Sequence, residues 1–275
     1  MNLYNKLVSR PYIFLRITGI SPGKFNDIIK KLLPIWNKKH LKKKKLDGRP
    51  YGIGSLENQL LCLLIYYRTY TTQLFIGFWF RVDDATVCRT IKRLEPLLSQ
   101  VIKIKKEPKL TEDTLQTLLL DATEQRTQGT GESKCPYYSG KKKCHTIKTE
   151  IIMKNKGKII QVSDPFPGSV HDITVRRESD PIPESKSIYA DSGYQGLEED
   201  YSHIKLPKKK PKGKPQSEED KKYNKSVHYV RNPVEFKFRE LKIFQILYQV
   251  YRNSKPSYAI KMAIITGIVN LKNGF

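Results

Sequence analysis

Long apolar runs are missing from this sequence. The longest, Leu60 to Tyr67 and Leu74 to Phe80, are well short of the ~20 residues a membrane-spanning helix needs. The opening residues Asn2, Tyr4, Asn5, Lys6 and Arg10 offer no continuous apolar core of a signal peptide, so the protein is expected to stay where it is made. Cysteine is scarce as well. Cys62, Cys88, Cys135 and Cys144 are too few and too widely spaced in 275 residues for a disulfide framework, which suits a reducing compartment. Only Cys135, Cys144 and His145 cluster, and with no CxxC pair anywhere they read as two ordinary thiols and a histidine in a basic hairpin, without metal. Acidic residues are outnumbered, 27 against 51 Lys and Arg, giving a net charge of +24. That excess is more than solubility requires and makes a polyanion, nucleic acid first, the natural partner. At 38% apolar residues the chain is too long and too apolar for a disordered tail and can bury a core in one or two domains.

Along the chain, residues 1–48 form an N-terminal helical basic segment: Ile28, Leu32, Leu33 and Trp36 fall at helical spacing. A lysine block, Lys38, Lys39 and Lys42 to Lys45, closes it. Such a block is either a solvated face or a set of phosphate contacts. Residues 49–102 carry a sharper pattern. Ser55 can cap a helix with Leu56, Leu60, Leu63, Leu64 and Tyr67 on one face. A short helix from about Thr72 to Phe80 follows, and after the turn Arg81-Val82-Asp83, Asp83 or Asp84 can cap a third helix with Val87, Ile91 and Leu94 inward. Thr86, Arg89, Thr90 and Arg93 then face outward. This predicts a helix-turn-helix module whose last helix enters the major groove, with a plain three-helix packing unit as the alternative.

The charged stretch 103–113, broken by Pro108, reads as a linker. From 114 to 275 a second domain is expected. Leu115 to Leu120 suits a buried strand tipped by Asp121, and His145 to Met153 and Gly157 to Val162 suit a hairpin. A helix from Val170 and a strand from Ser187 to Ala190, ending in Asp191, complete the order of a ribonuclease H-like core. Leu206 to Lys222 is too rich in Lys and Pro to pack; it reads as a mobile, phosphate-facing loop, with Lys208, Lys209, Lys210, Lys212 and Lys214 as its charges. A last helix is expected to open at Asn232, with Pro233 in the first helical position and Glu235 in the first turn. The fold class is therefore α/β: an N-terminal helical helix-turn-helix region followed by a mixed-sheet catalytic domain.

Taken singly, Asp121 and Asp191 could be loop-starting residues and Glu235 the capping partner of Asn232. Together, two strand-terminal aspartates and a helical glutamate in this order suit a pair of magnesium ions, which prefer hard oxygen ligands and can serve an in-line phosphoryl displacement. Arg231 and Lys242 would hold the DNA backbone beside them.

Asp121-Ala122-Thr123-Glu124, Tyr138 to Lys143 with His145-Thr146, Gly168-Ser169-Val170-His171-Asp172, Ala190 to Gly196, and Arg231 to Lys242 resemble DDE transposases of bacterial insertion sequences. The insertion-sequence-five group, related to Harbinger transposases, is the nearest in pattern, from about residue 50 to the C-terminus. The resemblance implies Asp121, Asp191 and Glu235 as catalytic metal ligands for Mg²⁺, or Mn²⁺, and places Arg231 and Lys242 on the family's Arg-x3-Glu-x6-Lys signature. It further implies a cytoplasmic, nucleoid-associated bacterial protein that assembles as a homo-oligomer on DNA, with no membrane partner. Such a protein cuts element ends by water attack and joins the 3′-hydroxyl to a target. Two departures stand out: His228 replaces a tyrosine of related groups, with Tyr229 one position on, and Ala122 stands where many relatives carry Gly. His171 and Asp172 are expected to touch DNA or to sit behind the metal ligands. The rival functions are a catalytically silent DNA-binding regulator and a stand-alone nuclease.

Overall fold

The computed structural model describes residues 3–38, 50–102, 104, 116–129, 136–210, 213 and 215–275. Three helices, α1 (Leu3–Val8), α2 (Pro11–Thr18) and α3 (Pro22–Trp36), occupy the N-terminal segment. α2 and α3 start on prolines, whose fixed φ suits a first turn and whose missing N–H is not needed there. Ser21 caps α3 by accepting from the Lys24 N–H. Tyr4, Phe14 and Phe25 pack ring against ring, with centroids 5.2 to 6.3 Å apart. Ile28, Leu32 and Trp36 are buried as their spacing predicts, whereas Leu33 is exposed. Lys38 is exposed; Lys39 and Lys42 to Lys45 lie outside the described residues.

The next three helices, α4 (Leu56–Thr69), α5 (Gln73–Phe80) and α6 (Asp84–Val101), fall where the pattern puts them. Each is preceded by a side-chain acceptor: Ser55, Thr72 and Asp83 take the N–H of Asn58, Phe75 and Thr86. Between α5 and α6 the chain turns tightly, and a Cβ added at Gly77 would stand 2.5 Å from the Val82 carbonyl oxygen. Only glycine lets that turn fold back onto α5. From Leu60 to Tyr67 every residue of α4 is buried, beyond the single stripe expected, because a helix apolar all round needs neighbours on every side.

Those neighbours include the late segment Gln245–Leu247. Residues 1–103, 241–249 and 260–275 form one unit, and residues 104–240 and 250–259 the other. The two units thus alternate along the chain, where the sequence reading expects the linear succession 1–48, 49–102, 103–113 and 114–275. The physical reason lies in the C-terminal helix, where Ile264, Ile265, Ile268 and Val269 are buried and Lys261 reaches buried Glu95 at 3.0 Å. Glu95 also accepts the Tyr67 hydroxyl at 2.8 Å. Of the expected linker, only Ile104 is described.

The second unit is built on a sheet of β1 (Thr117–Arg126), β2 (Tyr138–Ser139), β3 (Cys144–Lys154), β4 (Ile159–Val162), β5 (Phe166–Pro167), β6 (Ser187–Tyr189) and β7 (Ile204–Lys205). β1 is central, antiparallel to β3 and parallel to β6, and β7 continues parallel to β6; β2, β4 and β5 all pair antiparallel with β3. This mixed sheet, with a hairpin on one side and parallel strands on the other, is ribonuclease H-like. Two expectations are corrected. Phe166-Pro167 pairs with Ile147 and Lys148, so the following helix, α7 (Asp172–Glu178), starts after an extended His171 and not at Val170. The next helix, α8, spans Glu218–Lys242 with Pro233 inside it, so Asn232 caps nothing. Ser217 marks its start by accepting the Asp220 N–H at 3.1 Å, and the acids Glu218, Glu219 and Asp220 fill its first turn. α9 (Tyr258–Lys272) ends the fold.

Candidate functional site

Strand register brings the two aspartates together. β1 and β6 pair in parallel through Leu118–Ile188 and Leu119–Tyr189, so two residues further on Asp121 and Asp191 are level and share one face of the sheet. Asp121 is not at a strand tip as expected: β1 runs on to Arg126 because β3 pairs with it through Thr146. The partner on the other side does stop there, since β6 ends at Tyr189. Asp121 therefore sits where the parallel pairing gives out, with one side of its strand open.

α8 supplies the third group. Arg231 Nη2 donates to Asp121 Oδ2 at 3.0 Å and Nη1 to Asp191 Oδ1 at 3.4 Å, so one guanidinium straddles two carboxylates. Burial pushes the Asp121 carboxyl up to about 6, against the opposing pull of Arg231 and of the Ala122 N–H, which donates to Asp121 Oδ1 at 2.8 Å. Carboxylate oxygens are the hard donors a divalent metal ion prefers, and in this structure a guanidinium lies between these two. Glu235 lies one turn along α8 from Arg231 and is exposed. Among the described residues no three His, Cys, Asp or Glu side chains converge closely enough to hold an ion; the structure unites Asp121 with Asp191 but does not bring Glu235 to them.

Asp172, one of the two residues expected to touch DNA or sit behind the metal ligands, belongs to a polar cluster whose other members, Lys148 and Glu124, sequence reasoning did not single out as a group. Lys148 Nζ pairs with Asp172 Oδ1 at 2.7 Å and Glu124 Oε1 at 3.4 Å and donates to the Val170 carbonyl at 2.6 Å. A Cβ at Gly193 would come within 2.5 Å of Asp172 Oδ2, so the glycine two residues after Asp191 lets that loop close over Asp172. His171 is exposed and makes no side-chain cap to α7. Deeper, Arg176 Nη1 meets Glu150 Oε1 at 2.6 Å with both side chains 1% exposed. Burial raises the Glu150 carboxyl to about 7, with Arg176 opposing, and raises the buried Tyr194 hydroxyl that faces it. The sequence did hold a signal: Lys148 and Glu150 are charged two apart inside an otherwise buried-looking strand, which puts both on one face.

On α6 the four expected outward residues divide. Thr86 and Arg89 are accessible, Arg89 donating to Thr86 Oγ1 at 3.0 Å. Thr90 is buried at 1% exposure. Arg93 donates to Gln59 Oε1 at 2.8 Å and lies 4.1 Å from the Tyr51 ring centroid. The expected outward orientation of Thr90 and Arg93 is thus corrected, because α3 and the segment before α4 cover that flank. Exposed Ala85 and Lys92 lie on the face the pattern left out.

The lysine loop also departs from expectation at its start. The backbone of Lys208 exchanges hydrogen bonds with the Asn224 side chain, and Lys208 Nζ pairs with Asp220 at 2.8 Å. That anchoring to the first turns of α8 corrects the picture of a wholly mobile loop. Lys209 and Lys210 are exposed, and Lys212 and Lys214 lie outside the described residues. Lys242 is the last residue of α8.

Comparison with known proteins gives these sites a context. Residues 53–104 match the family described as the helix-turn-helix of DDE superfamily endonuclease, and residues 120–273 match the DDE superfamily endonuclease, a family that generally uses divalent metal. The probable transposase for insertion sequence element IS702 of Microchaete diplosiphon is 32% identical over 262 residues, covering 94% of this chain and 93% of that protein. No helix among the described residues is long and apolar enough to cross a membrane. A helix-turn-helix module joined to a ribonuclease H-like sheet with paired aspartates, matched over most of its length, makes this chain a member of the DDE superfamily endonucleases.

Proposed function

We propose that the chain is a DNA transposase of the insertion-sequence-five group, which binds the ends of its element, cuts them and joins the freed 3′-hydroxyl to target DNA. The observation that carries this is the pair Asp121 and Asp191, level on one sheet face and sharing one cationic partner. Glu235 is the proposed third ligand and would have to close on the two aspartates when metal binds: it follows Arg231 by one helical turn, and residues four apart share a helix face. Bound Mg²⁺, or Mn²⁺, would supply activation of the attacking oxygen and neutralisation of the leaving one. The chain's own residues do the rest. α6 presents Thr86 and Arg89 to base edges, Lys209, Lys210, Arg231 and Lys242 meet phosphates, and Asp172 is held beside Gly193 by Lys148 to brace the Asp191 loop. Joining two ends requires a homo-oligomer on DNA, and such a protein works at the nucleoid.

The test is cleavage and strand transfer on end-sequence duplexes with Mg²⁺. Asp121→Asn, Asp191→Asn and Glu235→Gln should each lower cleavage by at least ~10³-fold, about 4 kcal/mol of barrier, while a gel shift with the same DNA is retained. Full activity in any one variant removes that residue from the set. A wild-type protein that shifts DNA and never nicks it would be the silent regulator, and one that nicks without joining would be a plain nuclease.

A further inference from the structure

The Arg231 guanidinium lies between Asp121 and Asp191, 3.0 Å from one and 3.4 Å from the other. We propose that Arg231 is a resident counter-cation: it holds Asp121 and Asp191 together while no metal is bound, and metal loading requires it to withdraw. This rests on the reading of those aspartates as the cation site.

The geometry favours an exchangeable occupant. Arginine pairs most strongly when both nitrogens of its fork meet one carboxylate. Arg231 instead gives one nitrogen to each of two carboxylates, and the Asp191 contact is the longer, at 3.4 Å against 3.0 Å. The Asp191 side chain is 51% exposed, against 21% for Asp121, so the weaker end of the bridge faces solvent. The Arg231 Nε is buried without a hydrogen-bond partner, which costs the seat part of the stabilisation its charge provides. Two residues later Pro233 sits inside α8; having no N–H, it leaves the turn that carries Arg231 one backbone bond short. Strand register sets the two aspartates level; without a cation between them they would repel each other, and the bridge offsets that repulsion. A guanidinium and a metal ion cannot share that seat, so the apparent metal affinity is lowered by the fraction of molecules in which the bridge is closed.

The test uses the full-length protein, no DNA, and Mn²⁺ alone, with unbound Mn²⁺ read from its paramagnetic resonance signal. Arg231→Gln should bind Mn²⁺ roughly tenfold more tightly than wild type, as expected for a bridge closed about nine-tenths of the time. Arg231→Lys should fall between them, and adding Asp121→Asn to Arg231→Gln should abolish the gain. Heat scans accompany the titration: Mn²⁺ should raise the melting temperature of Arg231→Gln by more than it raises that of wild type. If Arg231→Gln does not fold, the Lys variant carries the test with a gain of a few-fold. Equal or weaker affinity in the Arg231 variants, beside Asp121-dependent binding in wild type, overturns the counter-cation while leaving the metal site standing. Binding that Asp121→Asn leaves untouched in every background overturns the metal site and the counter-cation with it.

Discussion

Arg176 and Arg231 belong to the same unit and both hold carboxylates, yet they are built for opposite ends. Arg176 and Glu150 meet at 2.6 Å with 1% of each side chain exposed, and a second Arg176 nitrogen donates to the Asp180 carbonyl. Arg231 spans two partly exposed carboxylates, giving one nitrogen to each. A closed pair cannot exchange either member without burying a lone charge, so it serves the fold. An open bridge can be exchanged, so it can serve a reaction. The first unit repeats the contrast: Arg93 is enclosed by Gln59, Thr90 and Tyr51, while Arg89 is solvent-facing with Thr86 and Asp83.

The closed pair should break most expensively. Arg176→Met leaves Glu150 buried without its cation, and at pH 8 the expected loss is about 3–5 kcal/mol of unfolding free energy, measured by denaturant titration. The pH dependence sharpens the point. The folded Glu150 carboxyl sits at about 7 because of burial, above its unfolded value of about 4.3. Its contribution is therefore fully present below about 4.3 and is lost as pH rises through about 7. Without Arg176 the carboxyl can escape only by protonation, so the variant should lose stability with rising pH more steeply than wild type. A loss below about 1 kcal/mol, or one equal at pH 5 and pH 8, would make the pair no different from an exposed one.

The two α6 arginines should then separate by readout. Arg93→Ala removes a hydrogen bond to Gln59 and the contact with the Tyr51 ring, for an expected ~1–2 kcal/mol of stability. Arg89→Ala should leave stability within about 0.5 kcal/mol and reduce discrimination between element ends and scrambled duplex by about 1–3 kcal/mol. Comparing melting curves with competition binding decides it: an Arg93 variant that melts normally but loses end specificity would return Arg93 to the reading face.

These contrasts also mark how far the sequence could be read. α4 to α6 were legible because Ser55, Thr72 and Asp83 precede runs of helical period, and local capping chemistry survives any tertiary context. Asp121 and Asp191 are legible as a pair, but the apolar run alone puts Asp121 at a strand tip, because only the pairing partners decide where a strand ends. Pro233, the stronger breaker, suggests a helix start there, whereas α8 starts from Ser217 with Glu218, Glu219 and Asp220 in its first turn. Arg231 as a bridge, and Thr90 and Arg93 as enclosed residues, depend on which elements pack beside them, and no local pattern encodes that.

The smallest effect concerns the lysines before α8, where the same open-against-engaged comparison applies within three consecutive residues. Lys208 already satisfies Asp220 at 2.8 Å and has its backbone tied to Asn224, so phosphate would have to compete with a carboxylate for its ammonium. Lys209 and Lys210 are exposed. Each lysine that meets a phosphate adds about 0.9 to the slope of log affinity against log salt, because it releases a condensed counterion. Lys208→Gln should therefore leave the slope unchanged, whereas Lys209→Gln with Lys210→Gln should lower it by up to about two units, uniformly across DNA sequences. Affinities taken from about 50 to about 200 mM salt span the range where such slopes are read. If Lys208→Gln flattens the slope as much as the double variant does, Asp220 yields its partner to DNA and the contact seen in the protein alone is another exchangeable one. If none of the three changes it, this loop has no part in holding the backbone, and the phosphate contacts fall to Arg231 and Lys242.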